Sequence, residues 1–128
     1  MNTIHECIEL VCAEISKEKS GLDKNAVIMV TYRPPNTAVE EYVRMLQDRI
    51  TKVIKEKKLL YIMGDMNINL LNASSHLPTN EFINTMYANY LFPLISRPTR
   101  ITEHSATLID NIYKNNITHY NAYCRVYS

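Results

Sequence analysis

The sequence predicts an α/β fold, because short apolar segments of strand length alternate with a longer segment of helical periodicity. Residues 26–32 are rich in Val, Ile and Thr, and residues 59–63 form a second apolar run. Between these runs, apolar side chains recur at spacings of three and four, the period of an amphipathic helix. They are Val39, Tyr42, Val43, Leu46, Ile50, Val53 and Ile54.

The amino-terminal elements follow from the same patterns. Residues 4–15 carry apolar and β-branched types on both sides of the chain, which predicts a strand covered on both faces. The polar segment 16–25 contains one of the two glycines, so we expect a turn there. The helix is predicted to begin near Thr37, since Thr37 and Glu40 match a capping box, in which each side chain binds an unpaired backbone N–H.

Loops and shorter elements follow in the second half of the chain. Residues 72–79 are loop-like, and residues 80–90 predict a short second helix. Its apolar stripe consists of Phe82, Ile83, Met86 and Tyr90. Residues 91–96 have an extended pattern, and residues 107–113 predict another strand, which contains Asp110.

The bulk properties predict one intracellular globular domain over residues 1–128. The net charge of +1 gives no global field that would attract a polyanion, so any nucleic-acid contact must be local. The three cysteines lack metal-ligand spacing, which favours a reducing compartment. The sequence has no membrane-spanning run and no signal-peptide pattern. We therefore expect a cytoplasmic or nuclear protein that is not secreted and not bound to a membrane.

The segment Gly64-Asp65-Met66-Asn67 is the strongest candidate for chemistry, because it directly follows a predicted strand. In an extended chain Asp65 and Asn67 project to the same side, while Met66 points into the packing. Phosphodiester hydrolysis needs a group that positions or deprotonates water and a donor that binds the phosphate oxygens. Asp65 suits the first task and Asn67 the second. The alternative is that the segment is merely a turn, since Gly, Asp and Asn all favour turns.

Asp110 and Tyr32 are further candidates. Asp110 lies within an apolar strand, where a carboxylate requires a partner or a raised pKa. It either orients a catalytic histidine or pairs locally. Tyr32 ends its strand, where its hydroxyl could bind a phosphate, although a tyrosine in such a place is also often a core residue.

Four motifs occur in a specific order along the chain. They are Thr31-Tyr32-Arg33-Pro34-Pro35-Asn36, Gly64-Asp65-Met66-Asn67-Ile68-Asn69-Leu70-Leu71, Arg97-Pro98-Thr99-Arg100-Ile101-Thr102 and Thr107-Leu108-Ile109-Asp110-Asn111-Ile112-Tyr113. Together they resemble the successive motifs of the endonuclease/exonuclease/phosphatase-type nuclease domain carried by non-LTR retrotransposons, jockey-like elements in particular. The resemblance covers about residues 5–117, the carboxy-terminal half of such a domain.

The resemblance implies a two-sheet β-sandwich flanked by helices, as in deoxyribonuclease and apurinic-site endonucleases, and magnesium-dependent cleavage of a DNA strand. By motif, Asp65 is the catalytic carboxylate, Asn67 the transition-state donor and Tyr32 the phosphate-contacting hydroxyl. Asp110 is the carboxylate that orients the catalytic histidine. The substrate-binding residues transferred in the same way are Asn36, Thr99 and Arg100.

The sequence departs from the family pattern in two ways. The half-domain that supplies the family's principal magnesium-binding glutamate has no counterpart before Met1, and the final Ser-Asp-His motif is missing, since His119 stands outside it. The metal ligands are therefore unknown and the site is incomplete. We expect a truncated, weakly active or inactive fragment that self-associates through an uncovered sheet face.

Two alternatives remain open. One is a non-catalytic module that binds nucleic acid or protein through Arg33, Arg97, Arg100 and nearby tyrosines. The other is an intact member of the same superfamily with a different substrate, such as a phosphatase.

Overall fold

The computed structural model describes residues 7–108 and 110–115, and only the main chain of Asp110. The strands are β1 (Glu9–Ile15), β2 (Ala26–Tyr32), β3 (Leu59–Asp65), β4 (Phe92–Pro93), β5 (Arg100–Ile101), β6 (Ala106–Thr107) and β7 (Asp110–Lys114). The helices are α1 (Lys17–Ser20), α2 (Val39–Lys55) and α3 (Leu77–Ala88), and residues Leu70–Asn72 form one 3-10 turn. The α/β fold class predicted from the sequence is confirmed.

Five strands form one sheet in the order β1-β2-β3-β7-β4, and β5 and β6 form a separate small hairpin. Strands β2 and β3 are parallel, and α2 provides the crossover between them. Strand β7 pairs with β3 in the antiparallel direction. The carboxyl ends of β2 and β3 therefore share one edge of the sheet with the amino end of β7.

The two faces of this sheet differ in what covers them. The row Met29, Ile62 and Tyr113 crosses three strands on one face and is buried against α2 and α3. The core there contains Tyr42, Leu46, Ile50, Phe82 and Met86, which follow the apolar periodicity of the two helices. On the other face Val11 and Val30 face each other across β1 and β2 and are 68% and 46% exposed.

Two sequence predictions about these elements are wrong. Strand β1 is largely exposed rather than covered on both faces, because it lies at the edge of the sheet; residues 4–6 lie outside the described part. Helix α2 has Ala38 as its N-cap with no side-chain cap, so Thr37 and Glu40 form no capping box. The main chain of Thr37 instead belongs to the preceding turn, where its N–H donates to the Pro34 carbonyl.

The second helix begins three residues earlier than predicted and ends at Ala88, two residues earlier. Pro78 lies in its first turn, where the missing N–H costs nothing. Phe82 and Met86 are buried as predicted, but Tyr90 is 66% exposed and has a positive φ of 58°, so it lies beyond the helical stripe.

Candidate functional site

Three of the four predicted catalytic residues lie abreast at one edge of the sheet. Tyr32 is the register partner of Asp65 across the parallel pair β2 and β3, and Asp65 is the register partner of Asp110 across β3 and β7. Partners in register on adjacent strands project to the same face, so Tyr32 and Asp65 share a face. We call Tyr32, Asp65 and Asp110 the edge row; of Asp110 only the main-chain position is described.

Gly64 allows the close strand contact next to the edge row. It has φ of 132°, and a Cβ atom built on it would lie 1.9 Å from the carbonyl oxygen of Thr31. A residue with a side chain therefore cannot occupy this position without separating β2 from β3. Gly64 and Asp65 both belong to β3. The turn interpretation therefore does not describe this half of the segment.

The chain leaves the extended conformation after Asp65. Met66 is 2% exposed and packs in the core, as predicted. Asn67 has a positive φ of 50°, a conformation that asparagine tolerates better than most residues. The prediction that Asp65 and Asn67 share a side assumed an extended chain through Asn67, and that assumption is wrong. The two residues are linked instead by a hydrogen bond of 3.2 Å from the Asn67 N–H to Oδ1 of Asp65.

Arg33 binds the main chain of the loop that follows β3. Its Nε donates to the Met66 carbonyl at 2.7 Å and its Nη2 to the Asn67 carbonyl at 2.6 Å, while Nη1 donates to the Thr37 carbonyl. In return, Nδ2 of Asn67 donates to the Arg33 carbonyl at 2.7 Å, and the Arg33 N–H donates to the Asp65 carbonyl. We call this set of contacts the Arg33 clamp.

Arg33 is 5% exposed, which excludes its guanidinium from direct contact with DNA in this conformation. The alternative that Arg33 binds nucleic acid is therefore wrong for this conformation, while Arg97 and Arg100 are exposed. Burial lowers the pKa of Arg33 from its usual value, and the nearby Tyr42 and Asp65 oppose that shift.

Asn69 connects the loop after β3 to the chain that leads into β7. Its Oδ1 accepts hydrogen bonds from the N–H groups of Leu71, at 3.2 Å, and Leu108, at 2.9 Å. The Leu70 N–H also donates to the Leu108 carbonyl. These bonds hold the approach to Asp110 beside the segment that contains Asp65.

Asn111 holds the segment after β4 against the other side of β7. It is 5% exposed, its Nδ2 donates to the Ile95 carbonyl at 2.8 Å, and its Oδ1 accepts from the Ile95 N–H at 3.1 Å. The Leu94 N–H donates to the Ile112 carbonyl. The chain after β4 therefore runs beside β7 toward the edge row.

The predicted substrate-binding residues lie on two loops. Asn36 is exposed in the turn that follows β2. Thr99 precedes β5, and its N–H donates to the Thr107 carbonyl at 2.8 Å. Arg100 is exposed on β5 and is the register partner of Thr107. The hairpin joins the site through Leu108, but no described hydrogen bond or ion pair connects these three residues to Asp65.

Two buried hydroxyls lie beneath the site. Thr31 is 2% exposed and Tyr42 is fully buried, and neither hydroxyl has a hydrogen-bond partner of standard geometry among the described protein atoms. Burial raises the pKa of Tyr42 to about 12, although the proximity of the Thr31 hydroxyl and of Arg33 opposes the rise.

Oxygen ligands of the type that magnesium prefers are present but few. The carboxylate of Asp65 is such a ligand, and the main chain of Asp110 lies next to it. Among the described side chains, which do not include that of Asp110, no three His, Cys, Asp or Glu residues form a cluster that could hold a metal ion. A groove of about 500 Å³ lies elsewhere, between α2 and α3, and contains none of the predicted site residues.

Sequence reasoning missed the residues that hold the loops in place. Arg33, Asn69 and Asn111 all act through main-chain atoms of segments distant in sequence, and the separation is 33 residues between Arg33 and Met66. Asn69 and Asn111 were visible only as parts of motifs, and Arg33 was considered only as a contact to nucleic acid or protein. Arg33 carried the one available signal, since it lies between a strand and a Pro-Pro turn.

No family model matches the chain, and no curated protein matches it significantly. Solved structures do match. One is titled the endonuclease domain of TRAS1, a telomere-specific non-LTR retrotransposon, at 17% identity and a TM-score of 0.60, covering 81% of this chain and 49% of that one. Another is an endonuclease/exonuclease/phosphatase family protein from Leptotrichia buccalis C-1013-b, at 18% identity and a TM-score of 0.50, covering 84% and 42%.

These two likenesses show the fold. The chain has the α/β fold of endonuclease/exonuclease/phosphatase-type proteins, as the sequence motifs predicted. It spans about half the length of either solved structure. Separately, none of the helices in the described part of the chain is both long and apolar enough to cross a membrane.

Proposed function

We propose that this chain supplies half of a divalent-metal-dependent phosphodiesterase site that acts on DNA. The observation that carries the proposal is the edge row, in which Tyr32, Asp65 and Asp110 occupy one register line at the edge where the loops converge. At this edge Tyr32 and Asp65, whose side chains share a face, offer a hydroxyl donor and a carboxylate to a phosphate with its metal ion. The nuclease-type fold supports the same assignment.

Each residue has a distinct task in this proposal. Asp65 positions or deprotonates the attacking water, using the carboxylate oxygen that does not accept from the Asn67 N–H. Tyr32 directs its hydroxyl at a phosphate oxygen. Asn67 Nδ2 uses one hydrogen on the Arg33 carbonyl, so its second hydrogen is the one that binds the charge developing on the phosphate. By its motif, Asp110 would orient an acid/base histidine, although the Ser-Asp-His motif that carries this histidine in the family is not found in the sequence.

A magnesium ion would bind at Asp65, the described carboxylate of the edge row. Magnesium is usually held by one or two carboxylates, with water and substrate phosphate completing its coordination. When bound, it neutralises charge on the phosphate oxygens. The described side chains supply few ligands, so we expect nicking of supercoiled plasmid to be weak or absent, and close to that of Asp65→Ala. A nicking rate far above that of Asp65→Ala would contradict the incomplete site.

The test of the proposed function is the effect of magnesium on DNA affinity at constant ionic strength. Magnesium competes for phosphates and weakens ordinary electrostatic binding of DNA. A magnesium ion bound with the help of Asp65 would have the opposite effect, because it would attract a phosphate. We expect magnesium to strengthen binding of a short duplex by roughly tenfold, about 1.4 kcal/mol. Below we call this increase the magnesium gain.

Asp65→Asn and Asp48→Asn are a matched pair of variants for this test. Both remove one negative charge, but Asp48 is an exposed residue of α2 that pairs with Lys52. Asp65→Asn should abolish the magnesium gain and Asp48→Asn should retain it. If magnesium weakens DNA binding equally in all three proteins, the chain is instead a non-catalytic binding module, with exposed Arg97 and Arg100 as the first candidates for its contacts.

A further inference from the structure

Arg33 is a buried arginine whose guanidinium binds main-chain carbonyls. A buried arginine most often pairs with a carboxylate, because an unpaired buried charge is costly. Among the described side chains, no carboxylate forms an ion pair with Arg33. Its guanidinium instead binds three main-chain carbonyls, those of Thr37, Met66 and Asn67. The planar fork of guanidinium donors suits this geometry, whereas an ammonium group is a point charge.

Two of the carbonyls that Arg33 binds, those of Met66 and Asn67, lie on either side of the Asn67 Cα atom, where φ is positive. The guanidinium holds the carbonyls of Met66 and Asn67, and the Arg33 carbonyl holds the Asn67 side chain. The positive φ of Asn67 turns the chain between these contacts. The N–H of Asn67 is thereby directed at the Asp65 carboxylate, at 3.2 Å. One side chain thus fixes the loop that contains Asn67 and directly follows Asp65.

We infer that Arg33 is a positioning residue, which sets the orientation of Asp65 and Asn67 by clamping the main chain between them. The inference rests on the proposed function for its consequence, but the clamp itself can be measured without any ligand. Groups that orient metal ligands typically change metal affinity by about 10- to 100-fold when they are removed. Loss of the clamp should therefore remove the magnesium gain while the fold is retained.

The first measurement uses the wild-type chain alone. The Arg33 Nε–H is buried and bonded to the Met66 carbonyl, so its NMR signal should exchange with solvent at least about tenfold more slowly than that of exposed Arg44. Exchange as fast as that of Arg44 would overturn the clamp. This comparison needs no variant and remains decisive even if replacement of Arg33 prevents folding.

The second measurement compares Arg33→Lys with Arg44→Lys, which makes the same change on an exposed part of α2. We expect the Arg33→Lys variant to melt cooperatively and to show shifted side-chain amide signals of Asn67. It should also lose the magnesium gain, so that its DNA affinity in magnesium is about tenfold lower than that of the wild type. Arg44→Lys should change none of these. Arg33→Lys with an intact magnesium gain and unmoved Asn67 signals would overturn the inference.

Failure of the proposed function has a different signature. If the wild-type chain shows no magnesium gain, the proposed phosphodiesterase site is wrong whatever Arg33 does. The solvent exchange of Arg33 Nε–H and the response of the Asn67 amide to Arg33→Lys then still decide whether the clamp holds that loop.

Discussion

Gly64 is the residue whose identity the backbone dictates most strictly. Its φ of 132° lies in a region that side chains avoid, and the Thr31 carbonyl occupies the place where a Cβ atom would lie. Without this glycine, Asp65 could not take its place beside Tyr32, because β2 and β3 would be forced apart one residue earlier. The stability of the sheet and the geometry of the edge row therefore both depend on the absence of a side chain at Gly64.

Gly64→Ala should be much more damaging than Gly21→Ala. Both glycines have positive φ, but nothing lies within 4 Å of a Cβ atom at Gly21. Gly21→Ala should cost about 1 kcal/mol, and Gly64→Ala at least about 2 kcal/mol more, because strain is added to conformational cost. Urea denaturation of the two variants measures the difference. Equal costs would mean that the strands do not approach as closely as described.

Because the pKa of buried Tyr42 is raised, the free energy of unfolding should fall at alkaline pH. Its pKa in the folded chain is raised to about 12, whereas an unfolded tyrosine ionises near 10. Its contribution is fully present below pH 10 and is lost as the pH rises toward 12, because the unfolded chain releases the proton first. The loss should reach about 2 kcal/mol at pH 12.

The matched variant for this effect is Tyr42→Phe. At pH 7 it should be within about 0.5 kcal/mol of wild type or more stable, because the buried hydroxyl has no partner of standard geometry. Above pH 10 its unfolding free energy should fall less steeply than that of wild type. Parallel curves for the two proteins up to pH 12 would show that Tyr42 is not the responsible group.

At the scale of elements, periodicity was the most informative property of the sequence. Strand β2 was predicted with its observed bounds, because its Val, Ile and Thr residues are flanked by a polar turn and a Pro-Pro pair. The apolar stripe of α2 likewise matches the buried residues Tyr42, Leu46 and Ile50. The N-cap of α2 was predicted as Thr37 but is Ala38. Thr37 takes part in the preceding turn, where its N–H donates to the Pro34 carbonyl, and apolar periodicity does not reveal such a turn.

The loops were less predictable, because their conformation depends on contacts between segments far apart in sequence. The roles of Arg33 and Asn69 lie in hydrogen bonds to main-chain atoms across 33 and 39 residues, and the residue types alone do not name the recipients. The motif resemblance identified Tyr32, Asp65 and Asp110, and the strand register brings them into one row. Their catalytic roles remain predictions.

Asn69 connects the loop after β3 to the chain before β7 through hydrogen bonds, and their loss should lower the free energy of unfolding. Asn69→Ala leaves the N–H groups of Leu71 and Leu108 without their acceptor. We expect a loss of about 1–3 kcal/mol in unfolding free energy. Asn84→Ala, on the exposed side of α3, should cost nothing, since alanine is a better helix former. If Asn69→Ala is as stable as Asn84→Ala, the connection does not contribute to stability.

At the scale of the whole molecule, the sheet has one face covered by helices and one that the described residues leave open. Val11 and Val30 are adjacent on the open face, and Met63 and Ile112 continue their row across β3 and β7. An apolar row of this length favours burial against a similar surface. Two sheets of this type pack face to face at about 10 Å, as in a β-sandwich.

We propose that a second copy of the chain covers this face. A twofold arrangement would bring each row against its equivalent in the other copy. Val30→Lys should shift the chain toward monomer in sedimentation equilibrium, because a lysine head group would be buried in the interface. The control is Leu77→Lys, which changes an apolar residue that is 67% exposed at the start of α3. A wild-type chain that stays monomeric at all concentrations would contradict the proposal.

The most direct test of the central claim is to locate a metal ion on the chain with Mn²⁺, which broadens NMR signals of nearby amides. The account predicts that the signals of Tyr32, Asp65 and Asn111 broaden first, while those at the opposite end of the same strands, such as Ala26 and Leu59, remain sharp. Asp65→Asn should remove the effect. Broadening centred elsewhere, or broadening that persists in Asp65→Asn, would contradict a metal-dependent site at the edge row.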